Sequence, residues 1–103
     1  MNVNIQTVHS DADEKLLDYV RKKIEKIGNF NDRIMKVDVF LKLDNVVHTI
    51  KDKIAEIRIL IPKHEFFVKS TSKSFEDSFD DSLDSMIAQL KKFKEKRETR
   101  KVA

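Results

Sequence analysis

The chain has 103 residues, 38% of them charged and 40% apolar, with no cysteine and a net charge of +3. That length allows one domain over residues 1–103 with one modest core, and the missing cysteine excludes a disulfide framework and thiolate metal sites. No apolar run reaches the length of a membrane span, and residues 1–5 carry neither the basic nor the apolar stretch of a signal peptide, so a soluble cytoplasmic protein is the expectation.

The first predicted element is a half-buried strand, with Val3, Ile5 and Thr7 alternating against Asn2, Asn4 and Gln6. Ser10 and Asp11 are N-cap candidates for a helix over about residues 11–27. Its apolar stripe is Leu16, Leu17, Val20, Ile24 and Ile27. Gly28, the only glycine, stands where a left-handed residue would stop that helix. Two long alternating runs follow. Met35, Val37, Val39, Leu41 and Leu43 form the apolar row of the second strand, and Ala55, Ile57, Ile59 and Ile61 that of the third. Residues 45–53 read as a polar hairpin loop between them. Pro62 ends the third strand because it has no N–H for the ladder. Phe66, Phe67, Val68 and Lys69 read as a short fourth strand.

A long helix from about Ser74 closes the chain, with Phe75, Phe79, Leu83, Met86, Leu90 and Phe93 on one face. Asp77, Asp80, Asp81 and Asp84 occupy its first half and lysines its second, which suits the helix dipole at both ends. The order β-α-β-β-β-α, with one apolar face per strand and one stripe per helix, predicts an α/β two-layer sandwich. Its sheet has four strands, and both helices lie on one face. If the first two strands are neighbours, the helical crossover makes them parallel and right-handed. A basic C-terminal end, about residues 97–103, is free to fray.

Charge is unevenly distributed along this frame. Seven of the 21 basic residues lie in the last thirteen positions against two glutamates, a local charge of +5, while the preceding 14 basic and 16 acidic residues leave residues 1–90 at −2. The block consists of Lys91, Lys92, Lys94, Lys96, Arg97, Arg100 and Lys101. A dense positive block on a small domain points to a polyanion, most often nucleic acid. On the first helix Lys15, Lys22 and Lys26 project together opposite the apolar stripe, with Tyr19 and Lys23 along one edge and Asp18 and Glu25 along the other. Such a row can meet phosphates, and Tyr19 offers a ring for stacking. The plain alternative is a solvated face with pairs such as Asp18 and Lys22. Because both helices are expected on one sheet face, the two basic surfaces are placed to join.

Catalytic chemistry finds little support. His9, His48 and His64 lie near strand ends or in loops, without ligand spacing and read without structural partners. One glycine cannot make a phosphate loop, no serine sits in a nucleophile-elbow context, and the aspartate cluster reads as a solvated half-helix. No enzyme activity, cofactor, metal or small-molecule substrate is expected.

The strings Asn31-Asp32-Arg33-Ile34, then Val37, Val39, Leu41-Lys42, Val47-His48 and Ala55-Glu56-Ile57, and the ending Gln89-Leu90-x-Lys92-x-Lys94, together carry a family likeness. The chain resembles the short form of the bacterial ribosome hibernation-promoting factors, a family that includes the ribosome-associated translation inhibitors and the proteins once labelled sigma-54 modulation proteins. The resemblance covers nearly the whole chain. It implies binding to the small ribosomal subunit between head and body through ribosomal RNA, which blocks initiation and preserves idle ribosomes in stationary phase or starvation. Long forms add a C-terminal domain, and this chain, as read, ends with its second helix. By resemblance, the RNA contacts are Lys22, Lys23 and Lys26 on the first helix and Lys91, Lys92, Lys94 and Lys96 on the second, with Arg33 as a further contact or a loop anchor. Ser85 and Ala88 stand where the family often has basic residues, which shifts the expected contact toward the C-terminus. The expected partner is the small subunit, with a monomer off the ribosome and no membrane role. Two rivals are a free-standing duplex-RNA-binding module and a protein-interaction domain using the exposed sheet positions Phe40, Ile54 and Leu60.

Overall fold

A computed structural model of the chain describes the backbone of residues 1–8, 13–43 and 53–102, with side chains through Lys96. The elements in chain order are β1 (Asn2–Val8), α1 (Glu14–Glu25), a 3-10 turn (Lys26–Asn29), β2 (Lys36–Leu43), β3 (Lys53–Ile61), β4 (His64–Ser72) and α2 (Phe75–Val102). The cap candidates Ser10 and Asp11, the histidines His9 and His48, and residues 45–52 of the expected loop lie outside the described residues.

The sheet has four strands in the order β1-β2-β3-β4. β1 runs parallel to β2, whereas β2–β3 and β3–β4 are antiparallel. The register sets Ile5, Val39, Ile57 and Val68 side by side across the sheet. This row belongs to a single core that also contains Leu16, Val20 and Ile24 of α1 and Phe75, Phe79, Leu83, Met86 and Leu90 of α2. Both helices therefore cover one face, as the periodicity predicts.

α1 begins where Asp13 Oδ1 accepts a 2.8 Å hydrogen bond from the Leu16 N–H, satisfying one of the free donors of the first turn. Its end differs from expectation. No glycine has a positive φ, so Gly28 is not a left-handed stop. The helix tightens into the 3-10 turn, where the Phe30 N–H donates to Ile27 O at 3.0 Å. Bonds of that shorter span satisfy terminal carbonyls without a left-handed residue, and the same turn buries Ile27.

Met35 also departs from its predicted place and is 55% exposed. It lies one residue before β2, and its backbone bridges two strands, with N–H donating to Leu60 O at 2.8 Å and carbonyl accepting from Asn2 N–H at 3.2 Å. Ile34 fills the core at this point instead. The fourth strand, at nine residues, is longer than predicted. The ladder with β3 carries the polar residues Ser70, Thr71 and Ser72 because pairing is made by the backbone. Between β3 and β4 the turn is only Pro62-Lys63, and Lys63 has φ 67°. Proline followed by a left-handed residue is the pattern of a type II turn.

Ser74 caps α2, its Oγ accepting from the Asp77 N–H at 3.1 Å. Two buried serines let α2 sit close to β3: Ser82 Oγ lies 2.7 Å from Ser78 O and 3.0 Å from Ala55 O, so its proton always has an acceptor. Its 28 residues make α2 about 42 Å long, far longer than the sheet beneath needs. The last apolar residue of its stripe, Phe93, packs edge-on against His64 at 4.8 Å and Phe66 at 5.5 Å between ring centroids. From there α2 projects beyond the core.

Candidate nucleic-acid interface

Topology brings the C-terminal ends of both helices to one end of the molecule. α1 returns the chain from the end of β1 to the start of β2, and α2 returns from the end of β4. Both helices therefore finish at the end of the sheet that holds the Pro62-Lys63 hairpin. Contact between them is direct there: Lys91 Nζ sits 5.6 Å from the centroid of the Phe30 ring, immediately after the 3-10 turn. The aspartates lie in the first half of α2, where Asp80 reaches Lys23 of α1.

Lys15 and Lys22 of α1 and Lys26 of the 3-10 turn are exposed, and none makes an ion pair among the described residues. The expected Asp18–Lys22 pairing is replaced by Asp18 with Arg21 at 3.9 Å. Lys91, Lys92, Lys94 and Lys96 are exposed and equally without ion pairs among the described residues. At 100° per residue they fall into two rows. Lys91 and Lys94 flank the side that meets α1, and Lys92 and Lys96 lie on the side away from it. The cations thus wrap the end of α2.

Tyr19 and Lys23 are placed differently from the rest of the predicted site. The Tyr19 hydroxyl donates to Asp80, its oxygen 2.7 Å from Oδ2 and 2.8 Å from Oδ1, and Lys23 Nζ lies 2.8 Å from the same Oδ1. The ammonium also sits 4.6 Å from the Tyr19 ring centroid, and that ring meets Phe79 edge-on. The hydrogen bonds to Asp80 and Tyr19 hold the Lys23 ammonium well above its ordinary range. Partial burial alone would raise the Asp80 carboxyl, but the hydrogen bonds from Lys23 and Tyr19 outweigh it and hold the group below the usual carboxylate range. Asp80 is therefore not a solvated member of the aspartate cluster but the acceptor of a clasp between α1 and α2. Asp77, Asp81 and Asp84 are exposed. Among the described residues no group of histidines and acids could hold a metal ion.

Arg33 stands in the loop before β2, its N–H donating to Asn31 Oδ1 at 2.8 Å. It joins Lys63 and Lys96 around an open groove of about 560 Å³, with Ile61, Pro62 and Phe93 as apolar wall and His64 at its edge. Lys63 and His64 were not identified as site residues from sequence. The signal for Lys63 was local, since a residue directly after Pro62 and before an aromatic run is a turn position. His64 is the first residue of β4 with its ring on Phe93, which corrects the reading of a loop histidine without a partner.

The outer face of the sheet is a lattice of ion pairs. Lys42 meets Glu56 at 3.1 Å, Arg58 meets Glu65 at 3.0 Å and Lys36 meets Asp38 at 3.6 Å. Of the three positions considered for a protein contact, Ile54 is buried at 8% exposure, Phe40 is half-buried beside Lys42, and Leu60 is exposed.

The fold is a two-layer sandwich of four strands and two helices, and its exposed lysines on both helices are the candidate surface for a polyanion. The chain matches the family described as sigma 54 modulation protein / S30EA ribosomal protein over residues 3–98, and it belongs to that family. A relative in Pseudomonas putida, named ribosome hibernation promoting factor, is 28% identical over 99 residues, covering 96% of this chain and 92% of its own. Among solved structures, a ribosomal subunit interface protein from Coxiella burnetii superposes with a TM-score of 0.80 at 18% identity, covering 91% of this chain and 98% of its own. The N-terminal domain of Thermus thermophilus Protein Y gives 0.76 at 23% identity, covering 90% and 99%. These two likenesses speak to the fold. No helix among the described residues is long and apolar enough to cross a membrane.

Proposed function

We propose that this protein is a ribosome hibernation factor. It binds the small ribosomal subunit through ribosomal RNA, occupies the space that messenger and transfer RNA need, and so inhibits translation and preserves idle ribosomes. It acts by bulk and charge and not by chemistry, and it works in the cytoplasm, where ribosomes are. The observation that carries this reading is the set of exposed lysines, without ion pairs among the described residues, on α1, the 3-10 turn and the C-terminal half of α2, with Lys91 reaching the Phe30 ring just after that turn. Family membership supplies the ribosome as the polyanion.

Lys22 and Lys26 with Lys91 and Lys94 form the surface facing the RNA backbone, and Lys92 and Lys96 extend it around α2. Lys15 stands further up α1 and widens the footprint. Lys23 and Tyr19 are taken up by the Asp80 clasp and serve the stability of the helix pair more than the RNA surface. If about five phosphates are neutralised, log affinity falls with log salt at a slope on the order of −4.

The test is co-sedimentation with purified small subunits. The triple variant K91E/K92E/K94E is expected to abolish it, and unchanged co-sedimentation would remove this surface from the reading. A duplex-RNA module with the same charges would bind an isolated duplex as tightly as a subunit, so a filter-binding competition between the two separates those functions.

A further inference from the structure

The groove between α2 and the β3–β4 hairpin has a composition that the lysine rows do not share. Its three cations come from three separate segments: Arg33 from the loop before β2, Lys63 from the hairpin and Lys96 from α2. None of the three makes an ion pair among the described residues, and no carboxylate lines the groove. Like charges brought together without counter-charges repel, and an anion seated among them relieves that repulsion. Phosphate alone would need no more than this. The groove also has an apolar wall, with the Phe93 ring fixed edge-on by His64 and Phe66 and with Pro62 beside it. A flat apolar surface next to convergent cations matches a nucleotide, with its base on one part and its phosphate on the other.

The backbone offers a second, independent indication. Lys63 is the one non-glycine residue with positive φ among the described residues. Glycine or asparagine would adopt that turn with less strain. Strained positions concentrate where a side chain has a task, and Lys63 is one of the residues that line the groove. At about 560 Å³ the groove falls within the range of small-ligand clefts, and its openness lets a strand enter and leave.

We propose that this groove holds one unstacked nucleotide of single-stranded RNA, its phosphate among Arg33, Lys63 and Lys96 and its base against Phe93 and Pro62. The inference deepens the reading of the protein as an RNA-binding factor, and it predicts that the target includes an unpaired nucleotide. Duplex RNA keeps its bases stacked and cannot fill such a site.

The test is an NMR titration of the full isotope-labelled chain with a single-stranded RNA trinucleotide, a duplex, 5′-AMP and inorganic phosphate. The trinucleotide is expected to shift the ring resonances of Phe93 and His64. The variant R33Q/K63G should lose about tenfold in trinucleotide affinity without losing thermal stability, because the glycine suits the turn. K42Q should change it less than about twofold, since that lysine pairs with Glu56 on the outer face of the sheet. Equal shifts with duplex or with inorganic phosphate, or retention of trinucleotide affinity within about twofold in R33Q/K63G, would overturn the proposal. Binding of 5′-AMP as tight as that of the trinucleotide would overturn an RNA source and assign the groove to a free nucleotide. Small-subunit co-sedimentation, run alongside, keeps the two readings separable. Failure of the unmodified chain to co-sediment, with the trinucleotide shifts intact, sinks the ribosome reading and supports the groove.

Discussion

Removing the Asp80 carboxylate by Asp80→Ala should cost stability but not RNA affinity. The carboxylate accepts the Tyr19 hydroxyl and the Lys23 ammonium at 2.7–2.8 Å, and these contacts tie α1 to α2. A hydrogen bond to a charged group is worth about 1.5–3 kcal/mol. The ion pair adds less, because its side chains are 38% and 36% exposed, and pairs of that kind contribute at most about 1 kcal/mol. Water can reach the vacated site, so the total falls near the low end, about 2 kcal/mol. For a domain of this size that is a drop in Tm on the order of 10 °C, read by circular dichroism at pH 7. The pH dependence has a definite sign. Asp80 titrates lower in the folded chain than in the unfolded one. Its contribution is therefore present above the unfolded value, about pH 4, and is lost as pH falls through the lower folded value. The gap between wild type and variant should close in acid. At the alkaline end the raised Lys23 value keeps the ion pair intact below about pH 10, where the unfolded lysine begins to titrate. Small-subunit affinity should hold or rise, because the variant removes a negative charge beside a lysine. Equal Tm values at neutral pH, or a gap undiminished at pH 2, would refute the clasp as a stabilising device. Weaker subunit binding by a folded variant would show that the clasp matters to the RNA.

The other expectations can be checked with the same assays. Tyr19→Phe should destabilise more than Lys23→Met in urea titrations, because the tyrosine gives up a half-buried charge-assisted bond and the lysine a solvent-screened pair. Gly28→Ala should stabilise by about 0.4–1 kcal/mol, since Gly28 has no positive φ and an added Cβ meets nothing within 4 Å; a loss of stability would contradict the 3-10 ending of α1. Lys91→Gln and Lys94→Gln should each reduce the salt slope of subunit binding by about 1 if each meets a phosphate. Lys36→Gln, on the outer sheet face, should leave that slope unchanged, and an equal effect from this lysine would mean that binding follows net charge and not a surface.

Much of the architecture was legible before folding because periodicity is a local property. Alternation along β2 and β3 and the α2 stripe named the core residues Val37, Val39, Ile57, Ile59, Phe79, Leu83 and Leu90, all buried as expected. Met35 and Gly28 were misplaced for the same reason that boundaries are hard to read. A pattern continues on paper past the residue where the backbone turns to other partners, here Leu60 O and Asn2 N–H for Met35 and a 3-10 bond for the turn holding Gly28.

By itself the order of residues determined the two-layer sandwich, its single core and the sign of the charge at each half of α2, since all three follow from spacing along one strand or helix. Only the tertiary structure decided that Asp80 binds Tyr19 and Lys23, that the α2 lysines divide between two sides, and that Arg33, Lys63 and Lys96 share one groove with Phe93. Those residues are distant in sequence, and the sheet order, together with the point where each helix ends, brings them within reach.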